Sequence, residues 1–256
     1  MKRKIRGTLR ETLTAGRERI RMGTVRLRKA VPAGKKLVQR GLRILREMVY
    51  PEGAVCLGCG RISRGDCLCP ACRKELQEKD FMESWEIRRV EGVQAWSMRP
   101  HRGIARQLVL RMKHGAESRA AAELAALVRT RPEAFPQLDP ETVVTWVPGP
   151  KDRIRERCID HGKMLAEAVA GELGLKSGQM LQRKGNDRPQ ACLDLKAREK
   201  NLRKAFEPVR KIRQPVLLVD DVLTTGTTAK RCVRALRKGG AEELLILTAT
   251  YAVKRG

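Results

Sequence analysis

Two stretches of this chain carry residue types at spacings that suit chemistry. The first is Val216-Leu217-Leu218-Val219-Asp220-Asp221-Val222-Leu223-Thr224-Thr225-Gly226-Thr227-Thr228. Four apolar residues, Val216 to Val219, read as a buried strand. Two carboxylates follow at its end, then a loop of small hydroxylated residues with one glycine, then a helix. Asp220 and Asp221 can accept hydrogen bonds from two ribose hydroxyls. The backbone N–H groups and hydroxyls of Thr224, Thr225, Gly226, Thr227 and Thr228, backed by a helix N-terminus, can hold a phosphate. The ligand chemistry implied is a sugar phosphate, and the carboxyl end of a buried strand is where α/β sheets place ligands. Apolar residues followed by Asp-Asp also resemble the metal-binding strand of a P-loop NTPase. That reading requires a G-x-x-x-x-G-K-[ST] loop, and the chain has none.

The second stretch is a pair of C-x2-C knuckles, Cys56-Leu57-Gly58-Cys59 and Cys69-Pro70-Ala71-Cys72, separated by nine residues. Four thiolates from two tight turns make a tetrahedral all-cysteine site, which suits Zn2+ better than an iron–sulfur cluster. Cys67 is an alternative fourth ligand to Cys69. Four protein ligands leave no open position for catalysis, so the metal is structural. A segment this short has little core of its own, and the metal supplies its folding energy. Cys158, Cys192 and Cys232 stand alone and read as core or incidental residues. Paired, clustered cysteines point to metal rather than disulfides, hence to a reducing, cytoplasmic compartment.

Charge is the other large feature. The net charge is +26, and residues 1–50 hold 16 Lys and Arg against 3 Asp and Glu, half of the excess. Such a block favours polyanionic partners, whether DNA, RNA or an anionic membrane surface. Aromatics make up only 3% of the chain, so base-stacking surfaces would be thin. No run approaches the ~20 apolar residues of a membrane span. The start of the chain lacks the apolar core of a secretory signal. It is Arg-rich and acid-poor like an organellar transit peptide, but residues 1–50 contain no Ser.

The elements that must position these residues follow from periodicity. Residues 1–48 read as a basic, amphipathic helical extension, with stripes of Ile5, Leu9 and Leu13 and of Leu37, Val38, Leu42 and Leu45. Such helices could dock on the body, track nucleic acid or make peripheral membrane contact. Residues 49–80 form the cysteine module and residues 85–256 the main domain. In that domain Val90–Ser97 reads as a strand, Ile104–Met112 and Ala120–Val128 as helices, Thr142–Val147 as a buried strand and Leu165–Leu173 as a helix. The strand at 216–219, a helix after Gly226 that ends at Gly239-Gly240, and a strand at Leu244–Ala249 complete it. Strands alternating with helices predict a largely parallel α/β sheet flanked by helices.

The segment 216–228 resembles the phosphoribosyl-pyrophosphate (PRPP) motif of type I phosphoribosyltransferases. With a four-cysteine zinc finger before it, the chain over roughly residues 45–252 resembles the ComF family, phosphoribosyltransferase-fold proteins linked to DNA uptake in natural competence. The resemblance implies a type I phosphoribosyltransferase-like parallel sheet. Val147-Pro148-Gly149-Pro150 is similar to the family's Val-Pro-Val-Pro turn, which would be the pyrophosphate loop, with Arg153 and Arg157 after it. Lys113 matches a family lysine. Gln190, Leu193, Arg198, Asn201 and Phe206 match its Q-x-x-L, R-x-x-N and Ala-Phe signatures. Arg157-Cys158-Ile159-Asp160-His161 departs from the family's Arg-Gly-Phe-Asn-Gln, and His101-Arg102-Gly103 from its Tyr-x-Gly.

By this resemblance Asp220 and Asp221 are the catalytic pair that holds the ribose. Pro148, Gly149, Lys151 and Arg153 face the pyrophosphate, and Mg2+ arrives with PRPP. Residues Arg183–Arg188, with Gln190 and Arg198, form a lid or substrate loop. The implied role is PRPP binding in DNA uptake, with single-stranded DNA or another polyanion, a DNA-uptake helicase or DNA-processing proteins as partners. The alternative is an active phosphoribosyltransferase that passes ribose 5-phosphate to a base or amine in nucleotide salvage or synthesis.

Overall fold

The computed structural model describes residues 54–63, 66–77, 85–115, 117–130, 135–150, 152, 154–155, 159–184 and 205–253. The expected helices of residues 1–48 lie outside them. In chain order the elements are α1 (Pro70–Gln77), β1 (Glu86–Val90), β2 (Val93–Pro100), α2 (Gly103–Gly115) and α3 (Ser118–Ala125), which tightens into a 3-10 turn (Ala126–Thr130). Then come β3 (Val143–Trp146), α4 (His161–Leu173), β4 (Lys176–Ser177), β5 (Leu181–Arg183), β6 (Phe206–Pro208), β7 (Val216–Leu223), α5 (Thr227–Lys238) and β8 (Leu244–Tyr251).

Six strands form one sheet in the order β1-β2-β8-β7-β3-β4, and a separate antiparallel pair joins β5 to β6. Every pairing in the main sheet is parallel except β1 with β2. The α/β class expected from the sequence is the class observed. β7 and β8 lie at the centre and are covered on both faces, which is why they read as nearly unbroken apolar runs. Leu217, Val219, Leu247 and Ala249 pack under α2, α3 and α4. Val216, Leu218 and Ile246 pack under α5 together with Met180, Leu181 and Phe206. Each such side chain contributes about 1.5–3 kcal/mol by leaving water. On α5 the buried residues Ala229, Cys232, Val233 and Leu236 recur at helical spacing.

Two boundaries differ from the sequence reading. The single strand expected at Val90–Ser97 is a hairpin. Glu91 and Gly92 both take positive φ, 53° and 78°, the backbone of a tight two-residue turn. Glu is a rare occupant of that conformation, and here charge holds it. Its carboxylate meets Lys230 Nζ at 2.7 Å and Arg234 Nε at 3.0 Å, and Arg237 donates to its carbonyl. The second difference is β7, which runs on through both aspartates to Leu223 because β8 keeps pairing with it as far as Leu223↔Tyr251.

Three aromatic residues serve the core. Trp85, Trp96 and Phe135 form an edge-to-face trio with ring centroids 5.9–6.1 Å apart, all three buried. Among the described residues, no helix is long and apolar enough to cross a membrane.

Candidate functional site

The strand order sets the place. β3 is followed by α4 and then β4 on one side of it. β7 is followed by α5 and then β8 on the other. The outgoing chains therefore part between β7 and β3, and a crevice outside the carboxyl ends of strands at such a switch point is the usual ligand site of an open α/β sheet. β3 stops pairing at Trp146↔Val219, so Asp220 and Asp221 stand just past its end.

Because β7 continues through them, the two aspartates alternate to opposite faces. Asp221 lies on the α2/α4 face. Its Oδ2 meets Lys113 Nζ at 2.9 Å and His161 Nε2 at 3.2 Å. Burial alone would raise its pKa. The hydrogen bond from His161 and the Lys113 ammonium outweigh that and hold the carboxyl below the ordinary aspartate value. Asp220 lies on the α5 face. Burial first, and the Asp221 charge second, raise its pKa to about 7. Its Oδ1 accepts the Asp221 N–H at 2.9 Å. On the same side, burial and then the Asp220 charge push the Cys232 thiol well above its usual range, so that cysteine is an inert core residue.

The support behind Asp221 comes from three elements. Lys113 sits in the last turn of α2 and His161 is the first residue of α4. Asp160 caps α4, accepting from Gly162 and Lys163 N–H, and also accepts from Trp146 Nε1 at 3.2 Å. Thr250 on β8 donates its one hydroxyl proton to the Asp221 carbonyl, so the 2.9 Å bond between Thr250 Oγ1 and His101 Nδ1 requires the proton to sit on His101 Nδ1. Burial, then Lys113 and Arg106, lower the pKa of His101.

Past β7 the loop Thr224–Gly226 leads into α5 with Gly226 at φ 75° as the N-cap. The side chains of Thr224, Thr225, Thr227 and Thr228 are exposed. Thr225 Oγ1 and Thr227 Oγ1 lie 2.9 Å apart, and Arg88 donates to the Thr224 carbonyl, fixing the loop on β1. Exposed hydroxyls beside the uncapped N–H groups of a helix can bind an anion. Across the crevice, Pro148 and Gly149 follow β3 directly, Pro148 buried and Gly149 half-buried. Lys151, Arg153, Arg188, Gln190 and Arg198 lie outside the described residues, as do Cys158 and Cys192. Arg183 lies on β5, its guanidinium 5.4 Å from the centre of the Phe206 ring.

The cysteine cluster is the second candidate site. Cys56, Cys59, Cys69 and Cys72 bring their Sγ atoms within 4.8 Å of one another. Cys67 is not in that group. Cys59 and Cys69 Sγ are 3.9 Å apart, close to the ~3.8 Å edge of a tetrahedron with metal–sulfur bonds of about 2.3 Å. Burial would raise the Cys56 thiol, but N–H groups of Cys59, Cys69 and Gly58 aimed at its sulfur pull its pKa down to about 6. Burial and the neighbouring thiols raise Cys72. Four cysteines so placed can hold a zinc ion.

The cluster is tied into the sheet. A Cβ on Gly58 would lie 2.9 Å from Cys72 Sγ and 3.0 Å from Ile104 Cδ1, so the first knuckle closes directly onto α2. Glu75 of α1 caps α2 by accepting from Ile104 N–H at 3.1 Å. Arg99, fully buried on β2, donates to the carbonyl of Leu76 near the end of α1. Sequence reasoning missed Glu75, Arg99 and Thr250, and met His161 only as a departure from the family's pattern.

Among solved structures the chain is similar to an allosteric regulatory enzyme of purine biosynthesis, at 21% identity over 55% of this chain and 30% of that one, TM-score 0.40. It is similar to the glutamine PRPP amidotransferase of B. subtilis, at 18% identity over 70% and 30%, TM-score 0.36. It is also similar to the adenine phosphoribosyltransferase of Saccharomyces cerevisiae, at 16% identity over 72% and 90%, TM-score 0.36. The chain thus spans about 30% of the length of the first two. No family model and no curated protein matches it.

Proposed function

We propose that this chain binds PRPP in the crevice between β7 and β3, as a ComF-type protein with a structural zinc, and that turnover is weak or absent. The observation that carries the reading is the conjunction at the switch point. Two aspartates, a hydroxyl-rich loop at a helix N-terminus and the Pro148-Gly149 turn converge there from two strands. In this reading the ribose hydroxyls donate to the carboxylates and the 5′-phosphate rests on Thr224–Thr228. The pyrophosphate reaches toward Pro148, Gly149, Lys151 and Arg153, and Arg183, the last residue of β5, leads into a covering loop with Arg188, Gln190 and Arg198. Mg2+ keeps most of its waters and comes with the pyrophosphate, so the chain needs few ligands for it.

The basic charge suits single-stranded DNA in uptake, held through phosphate rather than by stacking, since Trp85, Trp96 and Phe135 are spent in the core. Affinity for single-stranded DNA then falls steeply with salt, and a flat dependence contradicts that part of the reading. The test of the PRPP site is titration calorimetry with and without Mg2+. Wild type binds, and the Asp220→Asn, Asp221→Asn double variant does not. Failure of wild type to bind at millimolar PRPP overturns the proposal.

A further inference from the structure

Asp221 Oδ2 is approached by two helix ends that the sequence keeps 48 positions apart, Lys113 at 2.9 Å and His161 at 3.2 Å. Both contacts are well shielded, with side-chain exposures of 24% for Lys113, 22% for His161 and 10% for Asp221. They differ in this from a surface ion pair, which is worth little. The helix polarity agrees. Lys113 lies where α2 ends, and the carboxylate faces the start of α4. His161 is itself set in place, because the Asp160 side chain caps α4 and is pinned by the Trp146 indole. The ion-pair contacts of both residues fall on the same oxygen, Oδ2.

We propose that Lys113 and His161 are positioning residues that act through Asp221, gripping its Oδ2 so that Oδ1 is presented to the hydroxyls of a bound ribose. The proposal rests on the PRPP reading for the identity of the ligand. It assigns Lys113 to the sugar side of the site rather than to the pyrophosphate, although an ammonium beside a pyrophosphate-binding crevice invites the opposite assignment. The titratable groups around the carboxylate are Asp220 on the same strand, Lys113 on α2, His161 on α4 and, behind the Thr250 hydroxyl, His101. On the far face Cys232 of α5 adjoins Asp220, and Arg183 and Arg231 act on that thiol in turn. The grip favours the charged form of Asp221, while burial and the Asp221 charge raise the pKa of Asp220 to about 7.

The test compares ribose 5-phosphate and inorganic pyrophosphate as separate calorimetric probes of the full chain. Lys113→Met and His161→Leu should each weaken ribose 5-phosphate by about tenfold, the scale of a charge-assisted hydrogen bond. Pyrophosphate affinity stays unchanged. Lys113→Arg and His161→Gln, which keep a donor, recover part of the loss. Combined with Asp221→Asn, the losses should not add, because all three act on one contact. A Lys113→Met variant that loses pyrophosphate and keeps ribose 5-phosphate overturns the proposal, as does additivity. If wild type binds neither probe, the PRPP reading fails, and the grip is then judged on the ligand-free protein. The 13C-carboxyl titration of Asp221, assigned with Asp221→Asn, moves to higher pH in Lys113→Met and His161→Leu if the grip exists. An unmoved titration overturns it.

Discussion

The cysteine cluster and the switch-point crevice are built in opposite ways. The cluster draws all its ligands from Cys56–Cys72, and its knuckle closes against α2 with no room for a Cβ at Gly58. The crevice assembles β7, the turn after β3, the end of α2 and the start of α4. The first is a local, closed cluster of thiols that could hold a zinc ion. The second is a long-range, open site that keeps a carboxyl titrating near neutrality and leaves hydroxyls exposed. Such costs are tolerated where a ligand will repay them.

The largest expected effect falls on the closed site. Purified chain should carry about one zinc, and chelation or Cys72→Ser should release it and loosen the core. Structural zinc contributes on the order of 10 kcal/mol in small zinc modules. Cys72 and Leu68 share a core with Trp85 and Trp96, so the near-UV circular dichroism of those rings reports the loss. A metal-free chain with an unchanged spectrum removes the contrast. Next comes Gly58→Ala, whose methyl would meet Cys72 Sγ at 2.9 Å. Overpacking should cost about 1–3 kcal/mol, read from denaturant midpoints.

A smaller effect of opposite sign belongs to the open site. The folded-state pKa of Asp220 is raised from 3.8 to about 7. Its contribution is therefore most favourable below the unfolded value and is lost as pH rises through about 7. Asp220→Asn should match wild type near pH 4 and be the more stable at pH 8, by about 2–4 °C in Tm for each kcal/mol of relieved burial. Equal melting temperatures at pH 8 mean that Asp220 carries no such burden. Asp221 has the reverse sign. Its lowered pKa favours folding above the unfolded value, and that gain is lost as pH falls through the folded one.

This contrast also explains what was legible in the sequence. The cysteine ligands, the hydroxyl loop and the paired aspartates are contiguous, and contiguous residues announce their spacing. Lys113 and His161 meet on Asp221 only because the order β8-β7-β3 brings α2 and α4 over one end of β7, and no local pattern encodes that. The extension of β7 past Val219 depends on its partner β8, and it decides that Asp220 and Asp221 face opposite ways. The turn at Glu91-Gly92 escaped notice because Glu takes a positive φ there under the hold of Lys230, Arg234 and Arg237.

The most direct test of the account is amide chemical-shift mapping of the zinc-loaded chain as PRPP and Mg2+ are added. The account predicts that the N–H signals of Thr224–Thr228 and Asp221 move in a saturable way, while those of Cys56–Cys72 stay in place. Shifts confined to the cysteine module, or none at all at millimolar PRPP, would contradict it.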